Sequence, residues 1–141
     1  MKLKRLMPLA IIILILNLIW EFCHYRLYFD LTGIPSTLHL ILASFVDVGL
    51  VFLVIFLITL INKKSTWVTC PKEKDYFLFV ILALILAFVW EYVNLNLSRW
   101  EYVFDMPLFF GVGLSPLLQL AITGTISLCI YMHIMNHKCK L

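Results

Sequence analysis

Residues 38–61 read LHLILASFVDVGLVFLVIFLITLI, with Asp47 the single formal charge when His39 is neutral. At about 1.5 Å per residue, a helix of that length crosses the roughly 30 Å hydrocarbon core of a bilayer. Similar apolar stretches occupy residues 6–29, 76–97 and 114–135. The spacing predicts an all-α polytopic membrane protein, a four-transmembrane-helix bundle in one membrane domain over residues 1–141.

The composition agrees. Of 141 residues, 63% are hydrophobic and 13% charged, and the mean hydropathy is +1.01. Water-soluble domains are about half apolar and a quarter charged, so a soluble fold is excluded and no room remains for a second domain. The net charge of +3 does not imply nucleic acid. Lys and Arg sit at segment ends, with no basic stripe among exposed aromatics.

Those charges predict orientation instead. Lys2, Lys4 and Arg5 precede the first span, Lys63, Lys64, Lys72 and Lys74 lie between the second and third, and Lys138 and Lys140 follow the fourth. The other two loops carry Asp30, Glu101 and Asp105 with few bases. The positive-inside rule puts both termini and the middle loop in the cytoplasm. Trp67 and the basic loop 63–74 are expected to rest on the anionic inner leaflet. The outer loops carry aromatic runs suited to the headgroup belt, and Gly33, Pro35, Pro107, Gly111, Gly113 and Pro116 to make turns.

The start, basic and then apolar, also has the form of a signal peptide. Trp20-Glu21-Phe22-Cys23-His24 follows, bulky and charged where cleavage needs small residues, so the segment is expected to stay as the first span. Cys23 and Cys129 fall in apolar runs and Cys70 and Cys139 in basic segments, a spacing that indicates neither a disulfide framework nor a zinc ribbon. An internal repeat is also visible. Leu18-Ile19-Trp20-Glu21-Phe22 echoes Phe88-Val89-Trp90-Glu91-Tyr92, and Leu38-His39-Leu40 echoes Leu118-Gln119-Leu120. Two related hairpins would share a site near an axis along the membrane normal.

Acids within hydrocarbon cost at least about 2.5 kcal/mol, which makes Glu21, Asp47 and Glu91 functional candidates. All three fall in the outer half of their spans. Steps of three and four residues gather Asn17, His24, Tyr25 and Tyr28 with Glu21, and Ala87, Asn94 and Ser98 with Glu91. The second span offers Ser36, His39, Ala43 and Asp47; the fourth offers Ser115, Gln119, Thr123 and Ser127. If these stripes face one another, the rest faces lipid.

Glu21, His24 and Glu91 are the expected catalytic groups, with His39, Asp47, Asn94 and Gln119 as binding groups. A carboxylate or imidazole at headgroup depth could act as general acid or base on a lipid held between helices. Glu21-x-x-His24 is also the local pattern of di-metal bundles. The second copy reads Glu91-x-x-Asn94, and Asn is a poor transition-metal ligand, so no metal is expected there unless His39 or Asp47 completes the set. His133, His137, Met132, Met135 and Cys139 read more readily as the end of the last helix than as a metal hook. No nucleophile motif is present, and no cofactor is named by the residues.

Asn17-Leu18-Ile19-Trp20-Glu21, with Trp100-Glu101-Tyr102, Met106-Pro107 and the run from Gly111 to Gln119, GVGLSPLLQ, resembles an uncharacterised family of small bacterial four-helix inner-membrane proteins. The resemblance covers the first span and the last third of the chain. It implies a bacterial inner-membrane location and no activity. It draws attention to residues 106–119, expected to be irregular and partly re-entrant around Gln119. The functional expectation is an outward-facing polar site that binds or modifies a lipid or small amphiphile. Proton- or cation-coupled transport is the alternative, and a non-catalytic accessory role the third. Membrane lipids are the expected partners, and the stripes could also complete a site across a homo-oligomer.

Overall fold

A computed structural model describes residues 3–134, with side chains from Leu6 onward. Four helices dominate it: α1 (Leu3–His24), α2 (Ser36–Asn62), α3 (Glu73–Asn96) and α4 (Leu114–Ile134). All four are long and apolar enough to cross a membrane. Hydrocarbon supplies no partner for backbone N–H and C=O, so a spanning segment forms a helix and satisfies both internally. The chain is an all-α, four-helix membrane bundle.

The helices form a ring in which α1 packs on α2 and α4, and α3 packs on α4 and α2. Each turns one stripe inward. On α1, Leu9, Ile13, Asn17 and His24 are buried, while Met7, Ile11, Ile15, Ile19 and Phe22 are exposed. Isoleucine and phenylalanine on the outer stripe suit lipid, so exposure there carries no penalty. Towards the α2–α3 loop the interior is apolar, with Val51, Val54, Ile58, Phe79, Ala83, Leu128 and Tyr131 all buried.

The ends depart from the expectation of plain loops. α1 stops at His24 rather than running to Phe29; a 3-10 turn over Tyr25–Leu27 leads to strand β1 (Tyr28–Asp30). β1 pairs antiparallel with β2 (Trp100–Tyr102), aligning Tyr28 with Tyr102 and Asp30 with Trp100. The Tyr28 and Tyr102 rings meet edge to face at 5.4 Å. Aromatic residues favour an extended backbone, and pairing satisfies the N–H and C=O groups that a loop over the bundle would otherwise leave open. The two loops thus form one cap.

A second small hairpin, β3 (Leu108–Phe109) with β4 (Val112–Gly113), precedes α4. Phe110 and Gly111 take positive φ of 49° and 81°, as a two-residue hairpin turn requires. Gln119 lies in regular helix, so the irregularity expected around it ends at Gly113. The glycines and the turn absorb it before α4 begins.

At the other end Trp67 is buried and donates Nε1–H to Thr59 Oγ1 at 3.0 Å, rather than resting on the leaflet. Its indole is drawn in because a threonine one helix away satisfies its donor. Asp75 accepts the Lys72 backbone N–H at 2.9 Å and an Asn62 amide N–H at 2.8 Å, which ties the start of α3 to the end of α2. Cys70 is disulfide-bonded, contrary to the reading from spacing, whereas Cys23 and Cys129 are free thiols. Disulfide pairing depends on spatial approach, which sequence separation does not encode. The proposed hook at His137 and Cys139 lies outside the described residues.

Candidate functional site

Helical spacing carries polar side chains from all four helices into the half of the bundle nearest the cap. On α1, Asn17, Glu21 and His24 fall on one face; on α4, Gln119 and Thr123 do the same. Gln119 joins the helices. Its Nε2 lies 2.8 Å from Glu21 Oε1, 2.8 Å from Asp47 Oδ2 and 3.2 Å from Asn17 Oδ1. Thr123 Oγ1 lies 3.1 Å from the same Asn17 oxygen and 2.8 Å from the Gln119 carbonyl. A primary amide carries two N–H hydrogens, so three oxygens compete for two donors.

His24 extends the network towards the cap. Its Nε2 stands 3.3 Å from Glu21 Oε2 and its Nδ1 3.0 Å from Ser115 Oγ. With Nε2–H donating to the carboxylate, Nδ1 of the neutral ring accepts from the serine hydroxyl. This is the geometry of a base oriented by an acid. Ser115 does not line the cavity described next, so its hydroxyl holds the ring rather than meeting a ligand.

The other candidates are tied to the cap. Glu91 accepts the Tyr102 hydroxyl at 2.7 Å and the Trp100 indole N–H at 3.2 Å. Asn94 accepts from Arg99 at 2.9 Å and donates to the Trp90 carbonyl at 2.7 Å. His39 Nδ1 hydrogen-bonds Asp30. Burial raises the Asp30 carboxyl, but hydrogen bonds from Thr32 and His39 outweigh it, and the group titrates below the ordinary carboxylate range. Burial, then the neighbouring Glu91, push the Tyr102 hydroxyl far up, so it stays a donor.

These groups surround a cavity of about 210 Å³. Glu21, His24, His39, Asp47, Glu91, Asn94 and Gln119 all line it. The sequence reading missed Asp30, Arg99 and Trp100 in its wall and the Tyr102 clamp on Glu91. Only an alternating pattern in Trp100–Tyr102 could have hinted at a strand, and three residues are too few to carry it. Ser98, expected on the Glu91 face, lies beyond the end of α3 with a positive φ of 52° and is exposed. Ser36 bonds Tyr25 at 2.6 Å.

Among the described residues, no group of three or more His, Cys, Asp or Glu is arranged to hold a metal ion. Of the two residues that could complete the Glu21-x-x-His24 set, His39 is drawn away to Asp30, and Asp47 stands beside Glu21 at the Gln119 amide. What the arrangement offers is an acceptor-rich chamber with the His24 imidazole held in its wall between Glu21 and Ser115. Compared with known proteins, the chain matches no family model, no curated protein and no solved structure.

Proposed function

We propose that this chain is a bacterial inner-membrane protein whose polar chamber, facing outward, binds or modifies a lipid or other small amphiphile. The cavity carries the reading: about 210 Å³ of space, lined both by polar groups such as Glu21, Asp47 and Glu91 and by apolar side chains such as Leu42, Val46 and Leu50. A ligand with a polar head and an apolar chain matches both walls. His24 could move a proton on such a head once its Nε2 exchanges Glu21 for the ligand, with Ser115 holding Nδ1. The Gln119 network joins α1, α2 and α4 of one chain. The ring order of the helices, α1 opposite α3, supports the reading of two related hairpins.

Native mass spectrometry of protein released from mild detergent tests the reading. The wild type is expected to carry a discrete amphiphile that the Glu21→Gln, Glu91→Gln double variant loses. An identical, ligand-free pair would sink the proposal. Transport is the weaker alternative, because beyond the chamber the buried side chains are mostly apolar, among them Val51, Val54, Ile58, Phe79 and Leu128, with the carboxyl of Asp75 only at the far end of the bundle.

The lysines at 63, 64, 72 and 74 support a cytoplasmic α2–α3 loop, whereas the disulfide at Cys70 in the same loop favours an oxidising compartment, and cysteine labelling decides between them. In a chain whose native cysteines are replaced by serine, Phe104→Cys is expected to react with a membrane-impermeant maleimide on intact spheroplasts. Thr66→Cys should react only after lysis. The reverse pattern would invert the protein in the membrane.

A further inference from the structure

The cavity wall on the lipid side is thin. Leu42, Val46 and Trp90 line the cavity and are also 46%, 40% and 36% exposed on the surface of the bundle. They belong to α2 and α3, so the opening they rim runs along the seam between those helices and faces hydrocarbon. An alkyl chain lying in this seam would keep its contacts with lipid while its head reached the chamber.

The chamber limits what that head can be. Gln119 offers two hydrogens to three oxygens, and the carboxyls of Glu21 and Asp47 adjoin each other beside it. Glu91 already accepts from Tyr102 and Trp100. Two adjoining carboxyls cannot both ionise without repelling each other, and an ammonium group between them offsets that repulsion. Tyr25, Tyr28, Trp90 and Trp100 supply aromatic surface in the same wall, and aromatic faces attract ammonium groups. Of the basic side chains in the wall, Arg99 bonds Asn94, His39 bonds Asp30, and His24 meets only the Oε2 oxygen of Glu21, while Oε1 lies with Asp47 at the Gln119 amide.

We propose that the cavity is loaded sideways through the α2–α3 seam by an alkylammonium amphiphile, whose N–H groups bind Glu21 and Asp47 while its chain passes between Leu42, Val46 and Trp90. This rests on the amphiphile-binding reading above and names the chemical class and the route. A quaternary head lacks the N–H donors and should bind less tightly than a primary amine.

The test uses the full chain in phosphatidylcholine nanodiscs and follows tryptophan fluorescence during titration with dodecylammonium, dodecyltrimethylammonium, dodecanol and dodecyl sulfate. Dodecylammonium is expected to bind saturably, and dodecanol and dodecyl sulfate at least about tenfold more weakly. Asp47→Asn should weaken dodecylammonium about tenfold, and Val46→Trp, which fills the seam, should do the same. Glu101→Gln, outside the cavity, should leave binding unchanged. Equal binding of dodecyl sulfate overturns the ammonium assignment while leaving an amphiphile site standing, and unchanged binding in a folded Val46→Trp protein overturns the lateral route. If none of the four binds saturably, the amphiphile reading falls as well. The comparison of head groups on the wild type stands even if a variant does not fold.

Discussion

Replacing Gln119 by leucine is expected to destabilise the bundle by about 3 kcal/mol, read as a shift in the sodium dodecyl sulfate unfolding midpoint. Interhelical hydrogen bonds in membrane proteins average only about 0.6 kcal/mol, because the unfolded chain in the bilayer finds other partners. Gln119 is a different case. Its amide is shared by Glu21 and Asn17 of α1 and Asp47 of α2, so its loss strips a donor from several acceptors at once. Each buried acceptor left alone costs about 1–3 kcal/mol, more when charged. Adding Asp47→Asn to Gln119→Leu should recover part of the loss, since the new amide supplies N–H groups to Glu21. A shift below about 0.5 kcal/mol would mean that Gln119 does not hold the helices together.

Gly124→Ala should cost about 2 kcal/mol despite the better helix propensity of alanine. A Cβ at position 124 would stand 2.4 Å from Phe79 Cζ and 2.7 Å from Cε1, closer than carbon atoms approach. Phe79 is fully buried, so moving its ring aside disturbs the neighbours packed around it. The missing Cβ therefore leaves the room against α4 that the Phe79 ring of α3 occupies. Between membrane helices such close packing is a main source of association, because lipid tails are as apolar as the core. Phe79→Leu in the Gly124→Ala background should restore much of the stability, measured by the same unfolding titration. If the double variant is no more stable than Gly124→Ala alone, the clash is not the cause.

The sequence by itself determined the four spans and the stripes of polar residues that meet inside them. Long apolar runs must be helical in hydrocarbon, and helical periodicity then decides which residues share a face, so Glu21 could be grouped with Asn17 and His24, Glu91 with Asn94, and Gln119 with Thr123 from spacing alone. Their individual partners could not be read that way. The pairing of Tyr28–Asp30 with Trp100–Tyr102 joins residues about seventy positions apart, and it alone brings Tyr102 and Trp100 onto Glu91. Competition among tertiary neighbours decided that His39 binds Asp30 and that Gln119 bridges three acceptors. Trp67 was misread for the same reason: an indole suits a membrane surface equally well until Thr59 is found beside its N–H. Local sequence fixes the period of a helix; which rotation of each helix faces which neighbour, and how the loops close over them, is set by packing between segments far apart in the chain.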